Sequence, residues 1–249
     1  MTIIPLREGT FSVDFSKIFL PFNSETDQLA DRPPKSVAVA IQPFLVCVRE
    51  DIVLLDTGLG TTDAGQMTLV RLLQEAGFGP EQVTKVVLSH LHKDHANGVG
   101  YFDEHDRFTM TFPNAAYYIQ KREMTFARQQ ESNPSYNQRL LAALEKHPQV
   151  VWLEADEGRL SEQITFLVTK GHSPFHQVVW MQDAGQTAFF GADEVPQLGY
   201  LKRNLAYKND FDGKQGMTLR KQWAVEAAAQ QWQLLLYHDI KRATTVFIA

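Results

Sequence analysis

The sequence predicts an α/β protein in which two sheets pack together with helices over their outer faces. Three observations predict it. Short β-rich runs cluster near the start and again near the end, helical stretches lie between and among them, and no Pro/Gly/Ser-rich linker interrupts the chain. Residues 1–249 therefore read as one domain. Apolar residues make up 44% and charged residues 21%, a balance that sustains one sizeable core.

The elements follow in chain order. Residues 10–20 alternate loosely, as an early strand does. Residues 24–35 are polar and contain Pro33-Pro34, so they read as a loop. Residues 37–48 and 51–55 are β-rich runs on either side of Arg49-Glu50, which predicts a hairpin. A helix is expected over 64–76, closed by Gly77 and Gly79. Residues 83–88 form a short buried strand, 115–119 another, and 121–130 and 137–146 two helices, the second closed by Pro148. Strands are expected over 164–168, 178–181, 187–190, 234–237 and 245–248, with an Ala-rich helix over 219–232.

Several function classes are disfavoured at once. The net charge of −5 argues against a nucleic-acid partner, which needs a basic face. No window approaches the roughly 18 apolar residues of a membrane span, and the start lacks the basic and apolar stretches of a signal peptide. The expectation is a soluble, cytoplasmic protein with no membrane partner. The single cysteine, Cys47, lies in an apolar run and reads as a buried small hydrophobe.

The chemistry-bearing residues stand out by spacing. His90, His92, Asp94 and His95 fall within six residues. Neutral imidazole and carboxylate are ligands for zinc, iron and manganese. In an extended segment positions 90, 92 and 94 project the same way, and a turn then brings His95 round toward a neighbouring ion. Ligands belong at the ends of rigid elements. The apolar run before His90 ends in that way, and three more runs end at His172, Asp193 and His238-Asp239. If these strands share an orientation, all four ends meet at one edge. His176, four residues after His172, is open to three readings: a donor to a ligand, a substrate contact or a structural residue. His105 and His147 read as surface residues.

At this point the sequence resembles the metallo-β-lactamase superfamily. Residues 90–95 match its His-x-His-x-Asp-His motif, and Asp56-Thr57-Gly58 matches its strand-end Asp-Thr-Gly element. Residues 171–176 match Gly-His-(Ser/Thr)-Pro-x-His, with Phe175 where Gly is usual. The resemblance runs from about Val37 to the end and implies a four-layer αββα sandwich. It also implies that His90, His92 and His172 hold one metal ion, that Asp94, His95 and His238 hold a second, and that Asp193 bridges them. Asp56 is implied to orient ligands by hydrogen bonding.

Within the superfamily the chain looks closest to the lactonase and glyoxalase-II-like branch. Cys47 lies far from every motif, which disfavours a Cys-ligated β-lactamase. Flavodiiron proteins usually carry Glu where this chain has His92, and the large insertion of the RNA-processing nucleases is absent. The ending His238-Asp239-Ile240 is lactonase-like. Those lactonases carry a Tyr a few residues after the bridging Asp. Here Glu194-Val-Pro-Gln follows and the nearest Tyr is Tyr200, which becomes the candidate substrate contact.

The resemblance implies two divalent ions, zinc by default with iron or manganese as alternatives, sharing a hydroxide that attacks a lactone, ester or thioester carbonyl. Metal binding lowers the pKa of water from about 15.7 to near 7. Asp94 is placed to pass a proton to the leaving group. The rival readings are a mononuclear iron enzyme of the persulfide-dioxygenase type and a nonenzymatic metal-binding protein. The expected partner is a small-molecule substrate, with a homodimer also possible. Phe11, Phe15, Phe19 and Phe22 are open to either a core or a pocket role, and 121–147 to a lid or a dimer surface.

Overall fold

The computed structural model describes residues 1–23 and 25–248. Two six-stranded sheets form its centre. The first runs in the order Thr2–Pro5, Phe44–Val48, Asp51–Leu55, Lys85–Val87, Ala116–Gln120, Val150–Leu153. Its last four strands are mutually parallel. The second runs Glu157–Arg159, Ile164–Val168, Gln177–Asp183, Gln186–Phe190, Gln233–Leu235, Thr244–Val246. Its one parallel pair is Gln186–Phe190 with Gln233–Leu235.

The apolar runs are nearly continuous because both faces of each sheet are covered. Phe44, Val46, Val53 and Leu55 of the first sheet meet Val179, Met181, Ala188 and Phe190 of the second in the central core. Their neighbours Leu45 and Leu54 point the other way, onto Leu69, Leu73, Met124 and Leu141 of the outer helices. Val178, Phe189 and Leu234 likewise pack on Trp223 and Ala227 of the helix Gly213–Gln230. This is the expected αββα arrangement, with mixed sheets. The helices Lys121–Arg128 and Gln138–Leu144 bury Met124, Ala127, Leu140 and Leu144 against the first sheet, so they are core-covering elements.

Element boundaries differ from the expectations for local reasons. The run 37–48 divides at Gln42-Pro43, where Pro43 lacks a donor. Val37–Ile41 instead joins Gly9–Val13 and Phe19–Pro21 in a separate three-stranded sheet. The expected strand 10–20 is thus two strands around a turn, where Ser16 N donates to Asp14 Oδ1 at 2.9 Å and Lys17 has φ 56°. The helix expected from residue 64 begins at Thr68. Ala64 and Gly65 both take positive φ, the requirement of a two-residue hairpin turn between Thr62–Asp63 and Gln66–Met67. The helix expected over 219–232 begins at Gly213, where the Asp212 side chain accepts from the backbone of Lys214 and Gln215. Within the expected loop 24–35, Ser24 lies outside the described residues, and Leu29–Asp31 forms a single 3-10 turn. Short pieces that the sequence did not announce include Thr2–Pro5, Gly100–Phe102, Phe108–Met110, Val150–Leu153, Glu157–Arg159 and Leu198–Arg203.

Candidate metal centre

Four strand ends deliver side chains to one place. His90 follows Lys85–Val87, and His92 caps the short helix Lys93–Ala96, which carries Asp94 and His95. His172 follows Ile164–Val168, Asp193 lies in the turn Ala192–Glu194 after Gln186–Phe190, and His238 follows Gln233–Leu235. Three groups of potential ligand atoms converge: His90, His92 and His172; His90, His95 and Asp193; Asp94, His95 and His238. Within each, the atoms lie within 4.8 Å of one another.

The distances divide the cluster in two. His92 Nδ1 lies 2.9 Å from His90 Nε2 and 3.2 Å from His172 Nε2. On the other side, Asp94 Oδ2 lies 3.7 Å from His95 Nε2 and 3.6 Å from His238 Nε2. Asp193 spans the two sides. Its Oδ2 is 3.2 Å from His172 Nε2, while its Oδ1 is 3.2 Å from His95 Nε2 and 3.0 Å from His238 Nε2. Asp193 Oδ1 and His95 Nε2 are buried, and neither makes an aligned hydrogen bond despite this proximity. Buried polar atoms are ordinarily satisfied. Lone pairs that converge without bonding one another suit a cation between them, and imidazole plus carboxylate suits zinc, iron or manganese.

A hydrogen-bond network fixes which nitrogen faces inward. His95 Nδ1 donates to Asp56 Oδ2 at 2.6 Å, His238 Nδ1 to the Ala40 carbonyl at 2.7 Å, and His172 Nδ1 to Asp210 Oδ1 at 3.0 Å. Ser89 Oγ donates to Asp56 Oδ2 at 2.7 Å, which leaves it to accept from His90 Nδ1 at 3.0 Å. Each bond places the ring proton on Nδ1 and leaves the Nε2 lone pair available. Asp56 thus sits where the sequence expected an orienting group. The adjoining Thr57 accounts for the rest of that motif. Its N and Oγ1 both donate to the His95 carbonyl, at 2.6 and 2.9 Å. Gly98 keeps the approach open, since a Cβ there would stand 2.0 Å from the Thr57 carbonyl oxygen.

His176 contacts the backbone of the centre. It is fully buried, and its Nε2 accepts from Asp193 N at 3.3 Å. Burial, followed by the charges of nearby imidazoles, holds His176, His90 and His92 well below the usual histidine range, so they are neutral. Burial also pulls His95 down, but Asp193, Asp94 and Asp56 outweigh it and hold its pKa well above the ordinary value. Asp193 feels burial pushing it up, yet His238, His95 and His172 keep it well below the carboxylate range. A cation at this place competes with a proton on His95, so its affinity falls as pH drops.

Several contributors escaped the sequence reading. Asp210 lies in a polar stretch with no strand end to mark it. Glu194 is another. Its Oε1 accepts from His172 N at 2.8 Å and from Thr169 Oγ1 at 2.6 Å, and it pairs with the fully buried Arg220. Arg220 does carry a signal, since it shares a helix face with Trp223 and Ala227 at helical spacing. Tyr237 stacks on His95 with ring centroids 4.2 Å apart and donates to the Asp94 carbonyl at 2.6 Å.

A cleft of about 330 Å³ opens over this cluster. His92, Asp94, His172, Asp193 and His238 line it, and His90 and His95 lie behind them. Val13, Phe19, Val37 and Val39 form an apolar wall, and Tyr200 and Tyr207 also line the cleft. The N-terminal phenylalanines divide between the two roles left open: Phe11 and Phe22 are buried, Phe19 lines the cleft and Phe15 is exposed.

Comparison with known proteins identifies the family. The family model of the metallo-beta-lactamase superfamily matches residues 38–228. The N-acyl homoserine lactonase AiiA of Bacillus thuringiensis subsp. kurstaki is 25% identical over 199 residues, covering 68% of this chain and 73% of that one. An N-acyl homoserine lactonase of Bacillus cereus is 27% identical over 194 residues, covering 63% and 68%. Among solved structures, the dizinc quorum-quenching lactonase AidC superposes with a TM-score of 0.73 at 21% identity, covering 99% of this chain and 90% of that one. A probable metal-dependent hydrolase from Staphylococcus aureus gives 0.75 at 17% identity, covering 99% and 96%. These structural likenesses speak for the fold. The chain belongs to the metallo-β-lactamase superfamily.

Proposed function

We propose that this protein is a two-metal hydrolase acting on a lactone, ester or thioester carbonyl. His90, His92 and His172 would hold one divalent cation, Asp94, His95 and His238 would hold the second, and Asp193 would serve both. The observation that carries this reading is the split of Asp193, with Oδ2 beside His172 and Oδ1 beside His95 and His238. Zinc is the default by ligand type. When bound, such cations would supply Lewis acidity for a carbonyl oxygen and a water acidified to a pKa near 7 as the source of the nucleophile.

The chain's own residues do the rest. Asp94 lines the cleft and carries the proton to the leaving oxygen or sulfur. Tyr200 contacts the substrate. Its burial, then the charges of Asp193 and Asp210, push its phenol up to about 12, so it keeps its proton and can donate to a carbonyl. His176 and Glu194 act at a distance, holding the backbone of Asp193 and of His172. The lactonase relatives make a lactone the first substrate class to test.

The test is a hydrolysis screen of lactones, esters and thioesters with metal content measured in parallel. His92→Ala and Asp94→Ala are expected to abolish turnover while the circular dichroism spectrum stays native. Turnover retained after both metals are removed contradicts the reading.

A further inference from the structure

We propose that the cleft selects substrates carrying a second anionic group, a carboxylate or phosphate, and that Lys17, Arg32 and Lys93 receive it. This rests on the hydrolase reading above and narrows its substrate class.

The chain has a net charge of −5, yet three half-buried cations line this one cleft. Elsewhere among the described residues the half-buried or buried cations are paired, Arg71 with Glu75, Lys85 with Asp51, Arg122 with Asp156, Arg128 with Glu145 and Arg220 with Glu194, while the cations without an ion pair are exposed. Among the described residues, none of Lys17, Arg32 and Lys93 forms an ion pair with a carboxylate. The nearest substitutes are weak. The Lys93 ammonium stands 5.9 Å from the Phe19 ring centroid and the Arg32 guanidinium 5.8 Å from that of Phe22. Arg32 donates to the Ser36 carbonyl through Nη1 at 3.3 Å, but its Nε is buried without an acceptor. A buried donor left unmade is costly, and like charges gathered in a partly desolvated cleft repel. An anion relieves both.

Local structure holds these cations in place. Lys17 lies in the tight turn between Gly9–Val13 and Phe19–Pro21, with its N donating to the Asp14 carbonyl at 3.1 Å. Lys93 stands between His92 and Asp94, and its N donates to the Ser135 carbonyl at 2.7 Å. The cleft's carboxylates do not cancel the three cations. Asp94 and Asp193 belong to the proposed metal set, and Asp210 Oδ1 is taken by His172. The apolar wall of Val13, Phe19, Val37 and Val39 lines the same cleft. It suits a short aliphatic chain joining the anionic group to the scissile carbonyl. The substrate class is therefore an acyl compound with a charged tail, such as the half-ester of a dicarboxylic acid or the lactone of a hydroxy dicarboxylic acid.

The test uses the metal-loaded protein and calorimetric titration, so that it does not depend on turnover. Straight-chain dicarboxylates and terminally phosphorylated acids of roughly four to ten carbons are compared with monocarboxylates of equal length, since charge-assisted pairing makes the added anion the only difference. At the best length the dianion is expected to bind at least about tenfold tighter, and less so as salt rises. The Lys17→Gln/Arg32→Gln double variant is expected to bring the pair to near parity, and Lys17→Arg to keep the preference. Parity at every length in the native protein, or a preference that survives the double variant, overturns the proposal. Selective binding without cleavage of any half-ester supports the anion site and counts against the hydrolase reading. Cleavage without selectivity does the reverse.

Discussion

Two buried carboxylates lie beneath the candidate centre, one after a strand of each sheet, and they differ in what neutralises them. Asp56 follows Asp51–Leu55 of the first sheet. It accepts from Ser89 N and Ser89 Oγ, both at 2.7 Å, and from His95 Nδ1. Its one cationic partner is an imidazole that itself faces Asp193 and Asp94. Glu194 follows Gln186–Phe190 of the second sheet and has a permanent cation, since the fully buried Arg220 pairs with its carboxylate and donates to its carbonyl at 2.9 Å. Arg220 also donates to the Leu205 carbonyl at 2.6 Å, which fastens the segment leading to Asp210. The contrast separates two jobs. Asp56 is electrostatically completed only through His95, so it orients that imidazole. Glu194 is complete within the protein, so it is scaffold for His172 and its surroundings.

The contrast is most exposed to a break at Arg220. Arg220→Met leaves Glu194 buried and unpaired, and is expected to cost about 3–5 kcal/mol in urea unfolding of the metal-free protein. Adding Glu194→Gln is expected to restore most of that loss. If Arg220→Met alone unfolds at the native midpoint, Glu194 is not the scaffold described. Space around this pair is tight: a Cβ at Gly171 would stand 2.4 Å from Glu194 Oε1, and one at Gly216 2.8 Å from Oε2.

Asp56→Asn probes the other side. Asn tolerates the left-handed backbone that Asp56 adopts, with φ 56°, so the fold is expected to survive. Metal affinity is expected to fall about 10–100-fold by competition with a chelator, because the His95 orienting charge is gone. A loss of stability equal to that of Arg220→Met, with affinity unchanged, erases the distinction.

Glu123 sharpens the comparison as a buried carboxyl with neither kind of partner. It accepts from Ser173 Oγ at 2.9 Å and weakly from Leu91 N, and burial pushes it up to about 7. Its ordinary value is 4.5, so between about 4.5 and 7 the folded chain holds a proton that the unfolded chain has released. Stability therefore declines as pH rises through that window. Glu123→Gln is expected to flatten the decline, an effect on the order of 1–3 kcal/mol by chemical denaturation at several pH values. An unchanged pH profile contradicts this account of Glu123.

Much of this was readable beforehand, and the pattern of what was missed has a physical basis. His90, His92, Asp94 and His95 fall within one six-residue segment, so their spacing alone declares them. His172, Asp193 and His238 stand at the ends of apolar runs, which both-faced burial makes conspicuous. Asp56 could be placed because Thr57 and Gly58 complete a recognisable turn. Asp210 could not, because it reaches His172 from a polar stretch thirty-eight residues away. Glu194 and Arg220 meet through tertiary packing across 26 residues. The turn within 10–20 is hidden in the sequence because alternation continues through Asp14, Phe15 and Ser16, and only the side-chain bonds of Asp14 reveal it.

The central claim is that four strand ends build a site for two cations, and counting metal tests it most directly. Protein loaded with zinc, iron or manganese and then freed of excess is expected to retain two ions per chain by elemental analysis. Asp193→Asn is expected to lower that number or weaken both sites together. A single iron per chain, with no second ion at any loading, contradicts the account and favours a mononuclear oxidoreductase.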